Sequence, residues 1–199
     1  MNGQIQYGSR SPLTSAATLA GLGAFRHEVK RLGNPPTRAE LQRLVDMARE
    51  LHLQNDAISD ELAEIHASFE ALDLADHIAR GELPLVVSLD ALPQGEACHF
   101  VTPVRFGRRR ADHFGHLELT TSWLRFHGAL DVSVVWAAIT GVQRTGRDIV
   151  VSVVDSRRLL RFSCHALGEA AQGAVVATYL ANIARAREAE ASASQQAAL

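Results

Sequence analysis

Apolar positions recur at two different periods along this 199-residue chain, helical in the first half and alternating in the second. Leu22, Phe25, Val29 and Leu32 fall on one stripe and predict a helix from about Pro12 to Leu32, stopped by Gly33. Gly21 and Gly23 weaken it, each by about 1 kcal/mol relative to Ala. Pro35 and Pro36 break the chain, and Thr37-x-x-Glu40 then has the form of a capping box ahead of Leu41, Leu44, Val45, Ala48 and Leu51. After a break near 54–56, Ile58, Leu62, Ile65, Phe69 and Leu72 recur at spacings of 4, 3, 4 and 3, a heptad seam. They predict a third helix, entered near Ser59 and ended by Gly81. The last two helices, joined by a short break, predict an antiparallel hairpin closing on itself, on the first helix and on the second half; homodimerisation through the seam is the competing use.

From Gly95 onward the period becomes two. Alternation predicts strands over 97–106, 115–120, 123–127, 132–136, 141–145, 148–154 and 158–165. Thr121–Ser122 is a two-residue hairpin turn, and Gly146–Arg147 turns the fifth strand into the sixth. Pro103 suggests an edge position or a bulge in the first strand. A closing helix is predicted from about Leu167 to Arg187, with Val175, Val176, Tyr179, Leu180 and Ile183 on its apolar face. The expected organisation is a flexible lead-in (1–12), a helical region (13–81), a linker (82–94), a strand-rich domain (95–187) and a frayed tail (188–199). In the linker, Leu83, Leu85, Val86 and Val87 are apolar enough to lie against a neighbour.

Composition adds a charge asymmetry that the net of −2 conceals. Residues 1–97 carry 8 basic and 14 acidic side chains, whereas 98–165 carry 10 and 5, and all ten cations there are Arg. Either the two halves dock on each other, or the basic face meets an external anion. Cys98 and Cys164 are too few for a disulfide framework and are expected as small core residues in a reduced, cytoplasmic protein. No secretory leader is expected from Met1–Thr14, and no apolar run approaches the ~20 residues that cross a bilayer.

Three stretches of the second half carry a family resemblance. Gly95–Glu96 precedes the first strand; Gly115-His-Leu-Glu-Leu-Thr-Thr-Ser-Trp-Leu-Arg-Phe-His-Gly128 has the form Leu-Thr … Leu-x-Phe-x-Gly; and Asp131–Ile139 is a strand with a short turn leading to the rest of the sheet. Together with the order of seven strands and one helix, they resemble the pleckstrin-homology domain, and more closely its bacterial and GRAM-type relatives. Eukaryotic members carry a Trp in the closing helix, where this chain has only Tyr179 as an aromatic. The resemblance implies an α+β protein: an N-terminal helical hairpin or three-helix unit, then a seven-stranded antiparallel barrel closed by a C-terminal helix. Phe100, Leu117, Leu119, Leu124, Phe126, Val135, Ile149, Val151, Val153, Leu160 and Phe162 are expected inside.

The resemblance also implies a non-catalytic docking module, first of all for protein–protein interaction or assembly, self-association included. The alternative is peripheral binding to an anionic membrane surface. In lipid-binding members the loop after the first strand holds the headgroup, and here it offers Arg105, Arg108, Arg109 and Arg110, with Arg125 on the third strand. Arg suits phosphate because its planar fork donates two parallel hydrogen bonds. The competing reading of the same run is a solvated loop, or one docked on the acidic helices. Arg144, Arg147, Arg157 and Arg158 could extend a basic rim, but nucleic acid ranks lower because interleaved exposed aromatics are missing. No cofactor is expected. Metal is a minor reading: in a regular strand Cys98 and His99, or Cys164 and His165, point to opposite faces. No nucleophile elbow, phosphate loop or dinucleotide fingerprint marks an enzyme, which leaves a metal-dependent enzyme as a distant alternative.

Overall fold

A computed structural model of the chain describes residues 16–32, 35–107, 113–156 and 159–197. It divides into two units, Met1–Leu62 and Ala63–Leu199. The first holds α1 (Ala16–Lys30), α2 (Arg38–Glu50), a 3-10 turn at Asn55–Ile58 and the first residues of α3 (Ser59–Ala79). The capping box is formed as its spacing predicts: the Thr37 hydroxyl accepts from the Glu40 N–H at 3.2 Å, and the Glu40 carboxylate accepts from the Thr37 N–H at 2.7 Å. Phe25, Leu41, Leu44 and Ile58 are buried, and Glu28 accepts from both Arg31 and Arg43.

In the second unit the strands are β1 (Cys98–Phe106), β2 (His113–Thr120), β3 (Trp123–Gly128), β4 (Val132–Val135), β5 (Ile139–Thr145), β6 (Asp148–Val153) and β7 (Leu160–Cys164). They form one antiparallel sheet in the order β4-β3-β2-β1-β7-β6-β5. A 3-10 turn at Trp136–Ala138 carries the chain from one edge strand to the other, and α4 (Leu167–Ala197) packs on the sheet. This is the α+β, pleckstrin-homology-like arrangement expected from the strand order.

Inner-face residues of the strands join α4 in one apolar cluster. Leu117, Leu119, Leu124, Phe126, Ile149, Val151 and Phe162 have no exposed surface, and Val176, Ala177, Leu180 and Ala181 meet them from the helix. Each fully buried Leu or Phe contributes roughly 1.5–3 kcal/mol. Gly173 lets α4 come close, since a Cβ there would lie 2.7 Å from Ile149 Cδ1 and 2.8 Å from Phe100 Cε1. From α3, Ile78 enters the same cluster, and Glu64 pairs with Arg144 of β5.

Three expectations change. Val135 faces outward, 38% exposed and in register with Trp123, while Val132 and Val134 pack on the core. In Val132-Ser-Val-Val135 apolar residues occupy both parities, so alternation alone could not choose the inner one. Cys98 is buried as expected, but on the other face of the sheet from Phe100. The register shifts between Cys98 and Phe100, so Phe100 pairs with inward Leu119 but Cys98 pairs with Thr120 on the outer face. Finally α4 runs on to Ala197, through the Ala-, Ser- and Gln-rich residues where fraying was expected. Ala, the strongest helix former, is the commonest residue there and outweighs the two Ser.

Candidate functional site

The outer face of β1–β3 carries a polar cluster roofed by residues 82–96. Most of this stretch, 82–94, is the expected linker, and it lies along the sheet. The Val86 N–H donates to the Cys98 carbonyl at 2.9 Å, the one bridge it makes with β1. The Pro84 carbonyl receives His99 Nδ1 at 2.7 Å, which requires the proton on that nitrogen, because a carbonyl only accepts. His99 Nε2 meets the Thr121 hydroxyl at 3.2 Å. The bulge places both Cys98 and His99 under this cover, 3% and 7% exposed.

Glu118 anchors the middle of the segment. It sits on β2 between inward Leu117 and Leu119, so its carboxylate points outward, yet none of it is exposed. Its Oε1 accepts from the Ser88 hydroxyl at 2.9 Å and from the Leu89 N–H at 2.7 Å. His127 Nε2 stands 3.3 Å from Oε2, while His127 Nδ1 is 3.3 Å from Asp90 and 3.9 Å from Asp131. A neutral imidazole has one N–H and can donate to one of these sides only; the imidazolium can donate to both. The buried carboxylate is held by the Ser88 hydroxyl and the Leu89 amide, whose donation to Oε1 offsets part of its desolvation, while Oε2 and His127 Nε2 face each other without a hydrogen bond.

Glu96 closes the other end. Thr120 donates a short hydrogen bond to it, the Ser122 N–H donates at 2.7 Å and the Ser122 hydroxyl at 2.9 Å. Burial pushes this carboxyl up, but the hydrogen bonds of Thr120 and Ser122 and the charge of Arg125 outweigh it and leave it below its ordinary 4.5.

With both ends fixed, Ser88 turns its side chain to the sheet and Glu118, while Val86 is tied to Cys98 through its backbone and is itself 40% exposed. Leu85, Val87 and Leu89 are exposed at 76%, 88% and 54%, so the segment presents an aliphatic patch to solvent.

The Arg residues singled out from the sequence fall in different places. Arg105 is exposed near the end of β1, in register with Phe114 and Ser163. Arg125 is half-buried on β3, the register partner of Glu118, with its Nε enclosed. Val101 is the β1 partner of Glu118, so Arg105 is displaced from Arg125 by about 13 Å along the strands and by two strands across. Arg108, Arg109 and Arg110 lie outside the described residues. Of the later cations, Arg144 is paired with Glu64 and Arg161 with Asp148, and 157–158 lie outside the described residues. Among the described residues no group of three or more His, Cys, Asp and Glu side chains is placed to hold a metal ion, and no helix is long and apolar enough to cross a membrane.

Sequence reasoning missed Glu118 and His127 because, in a two-period strand, a polar residue beside an inward apolar one (Glu118 between Leu117 and Leu119, His127 after Phe126) reads as solvent-facing. One signal was available: Ser88-Leu-Asp90 interrupts an otherwise apolar stretch, Leu83–Leu92, with groups able to reach a carboxylate and an imidazole.

No protein-family model and no curated protein matches the chain. Solved structures are similar to it at low identity. The C-terminal domain of an unknown protein from Leishmania infantum is 18% identical with a TM-score of 0.32, over 35% of this chain and 71% of that one. The DH/PH domains of p115-RhoGEF are 11% identical with a TM-score of 0.40, over 83% of this chain. The DH/PH domains of PDZ-RhoGEF in complex with RhoA are 12% identical with a TM-score of 0.40, over 84% of this chain. The chain spans about half the length of these two, 54% and 53%.

Proposed function

We propose that the chain is a non-catalytic docking module whose second unit binds a protein partner. The observation that carries this reading is the exposure of Leu85, Val87 and Leu89 on a segment whose backbone at Val86 and Leu89 and whose Ser88 hydroxyl are hydrogen-bonded to the sheet. Exposing three large aliphatic side chains on a braced backbone is unfavourable in isolation and useful in recognition, because the segment is already ordered when the partner arrives. Beneath it, Oε1 of Glu118, His99 and Glu96 are used in bracing, which gives these groups a structural task.

The test is a photo-reactive residue at position 87, with a control at the exposed Thr178 of α4. A discrete adduct from position 87 alone, whose purified partner binds the wild type and not a Leu85→Ser/Val87→Ser variant of unchanged melting temperature, supports the reading. Equal adducts from both positions, or undiminished binding by the variant, reject it.

The second reading is contact with an anionic membrane through Arg105 and the 108–110 run, favoured by the exposed position of Arg105 where β1 leads into that run. Co-sedimentation with vesicles containing phosphatidylserine, repeated with Arg108–Arg110 changed to Ala, decides it: unchanged binding at low salt rejects that loop as the site.

A further inference from the structure

We infer that the partner segment received by Leu85, Val87 and Leu89 is an extended, apolar stretch with basic residues at both ends, an inference that rests on the docking reading above. The first argument is charge. From Gly81 to Ala97 the chain holds Glu82, Asp90 and Glu96 and no Lys, Arg or His. The acids bracket the aliphatic row: Glu82 stands before Leu85 and Asp90 directly after Leu89, with side chains 59% and 60% exposed. Asp131, 76% exposed, lies 3.9 Å from His127 and so adds to the Asp90 end. Arg80 stands 3.6 Å and His77 3.9 Å from Glu82, and His127 stands 3.3 Å from Asp90, yet more than half of either carboxylate side chain still faces solvent.

The second argument is shape. Leu85 and Val87 flank the Val86 bridge and Leu89 follows where the chain bends, so the aliphatic side chains all belong to one short stretch of chain, along which an extended segment can be laid. Cations at the ends of such a chain then fall against Glu82 and against Asp90 with Asp131. A contact of this size suits a transient complex rather than a permanent one. The same acids repel an anionic lipid surface, so this row and the Arg-bearing loop cannot serve one ligand chemistry.

The experiment uses the full chain and two labelled peptides, each with Leu, Val and Leu at alternate positions, one ended by Lys and the other by Glu, followed by fluorescence anisotropy at low salt. The Lys-ended peptide is expected to bind at least about tenfold more tightly, to lose that advantage on raising salt, and to lose binding in Leu85→Ser/Val87→Ser. A Glu82→Gln/Asp90→Asn variant, which leaves the aliphatic row intact, is expected to erase the preference between peptides while retaining binding. Equal affinity of the wild type for both peptides overturns the basic-partner inference and leaves the docking reading standing. Binding of neither peptide overturns the inference, and the photo-adduct from position 87 then decides the docking reading separately. A concentration-dependent dimer, lost in the Ser variant, assigns the row to a second copy of this chain and likewise overturns the inference.

Discussion

His127 Nε2 lies 3.3 Å from Oε2 of Glu118, a ring one-quarter exposed beside a carboxylate with no exposure at all. The two residues are not register partners: His127 pairs with His116, and Glu118 with Arg125. The contact is a diagonal across β2 and β3, and it leaves the other carboxylate oxygen for Ser88 and Leu89. One side chain thereby ties the roof to the sheet. Replacing Glu118 by Leu is expected to strand a hydroxyl and an amide donor and to cost about 2–4 kcal/mol in urea unfolding. Gln retains an acceptor and is expected to cost less. Hydrogen exchange at the Leu89 amide provides the local readout, and protection unchanged in the Leu variant counts against the anchoring role.

Glu96 gives a pH dependence with a definite sign. Its folded pKa lies below the ordinary 4.5, so its contribution to stability is fully present above that value and is lost as pH falls through the folded one. The stability difference between wild type and Glu96→Gln is therefore expected to hold steady above 4.5 and to shrink below it. Denaturant titrations from about pH 6 to about pH 3 measure this, and a flat difference across the range contradicts it.

The thiols report on the roof. Burial pushes Cys164 up to about 12, with Glu169 and Asp148 adding to the effect. Burial also pushes Cys98 up, helped by the Glu118 charge. Since the thiolate is the nucleophile, both are expected to react with a disulfide reagent at least about a hundredfold more slowly in the native chain than in urea. Loosening the roof by Glu118→Leu is expected to speed Cys98 and to leave Cys164 slow. Peptide mapping of the labelled site distinguishes the two.

Gly115 faces Gly128 across β2 and β3, and the Phe126 ring fills the space that both leave. A Cβ on residue 115 would stand 2.1 Å from the His127 carbonyl and 2.8 Å from that ring. Gly115→Ala is expected to destabilise the second unit by about 1–3 kcal/mol or more, by displacing Phe126 from its contact with Phe106. Thermal unfolding reads the loss. A variant as stable as the wild type would show that the strands can separate without penalty.

Thr37→Ala removes the acceptor of the Glu40 N–H and is expected to cost about 1 kcal/mol. Restoring Ser at the same position is expected to recover most of it. Equal stability of the Ala and Thr chains by urea titration contradicts a capping role.

The elements themselves were legible because each rests on local chemistry. Thr37 and Glu40 announce their box, Thr121–Ser122 turns one strand into the next, and Leu117, Leu119, Leu124 and Phe126 point inward by simple alternation. What escaped depends on nonlocal register. Cys98 follows the parity of Phe100 on paper, and only pairing with β2 reveals the extra residue between them. Glu118 reads as a solvated charge until residues 82–96 are seen to fold over it. Val135 was misplaced because its neighbours offered an equally apolar alternative. The Arg residues were identifiable as cations, but their distribution over the sheet follows from strand pairing and not from their nearness in the chain.

The irregularity between Cys98 and Phe100 has a further outcome for how this protein can vary. It sets a thiol and an imidazole side by side beneath the roof and leaves the aromatic next to them in the oily interior. The two sides of the sheet therefore answer to separate rules, one governed by volume and the other by charge and hydrogen-bond matching. Exchanging the exposed Leu85, Val87 or Leu89 retunes the surface offered to a partner without touching the interior cluster, whereas Leu83 of the same stretch packs on that cluster and is bound by its rules.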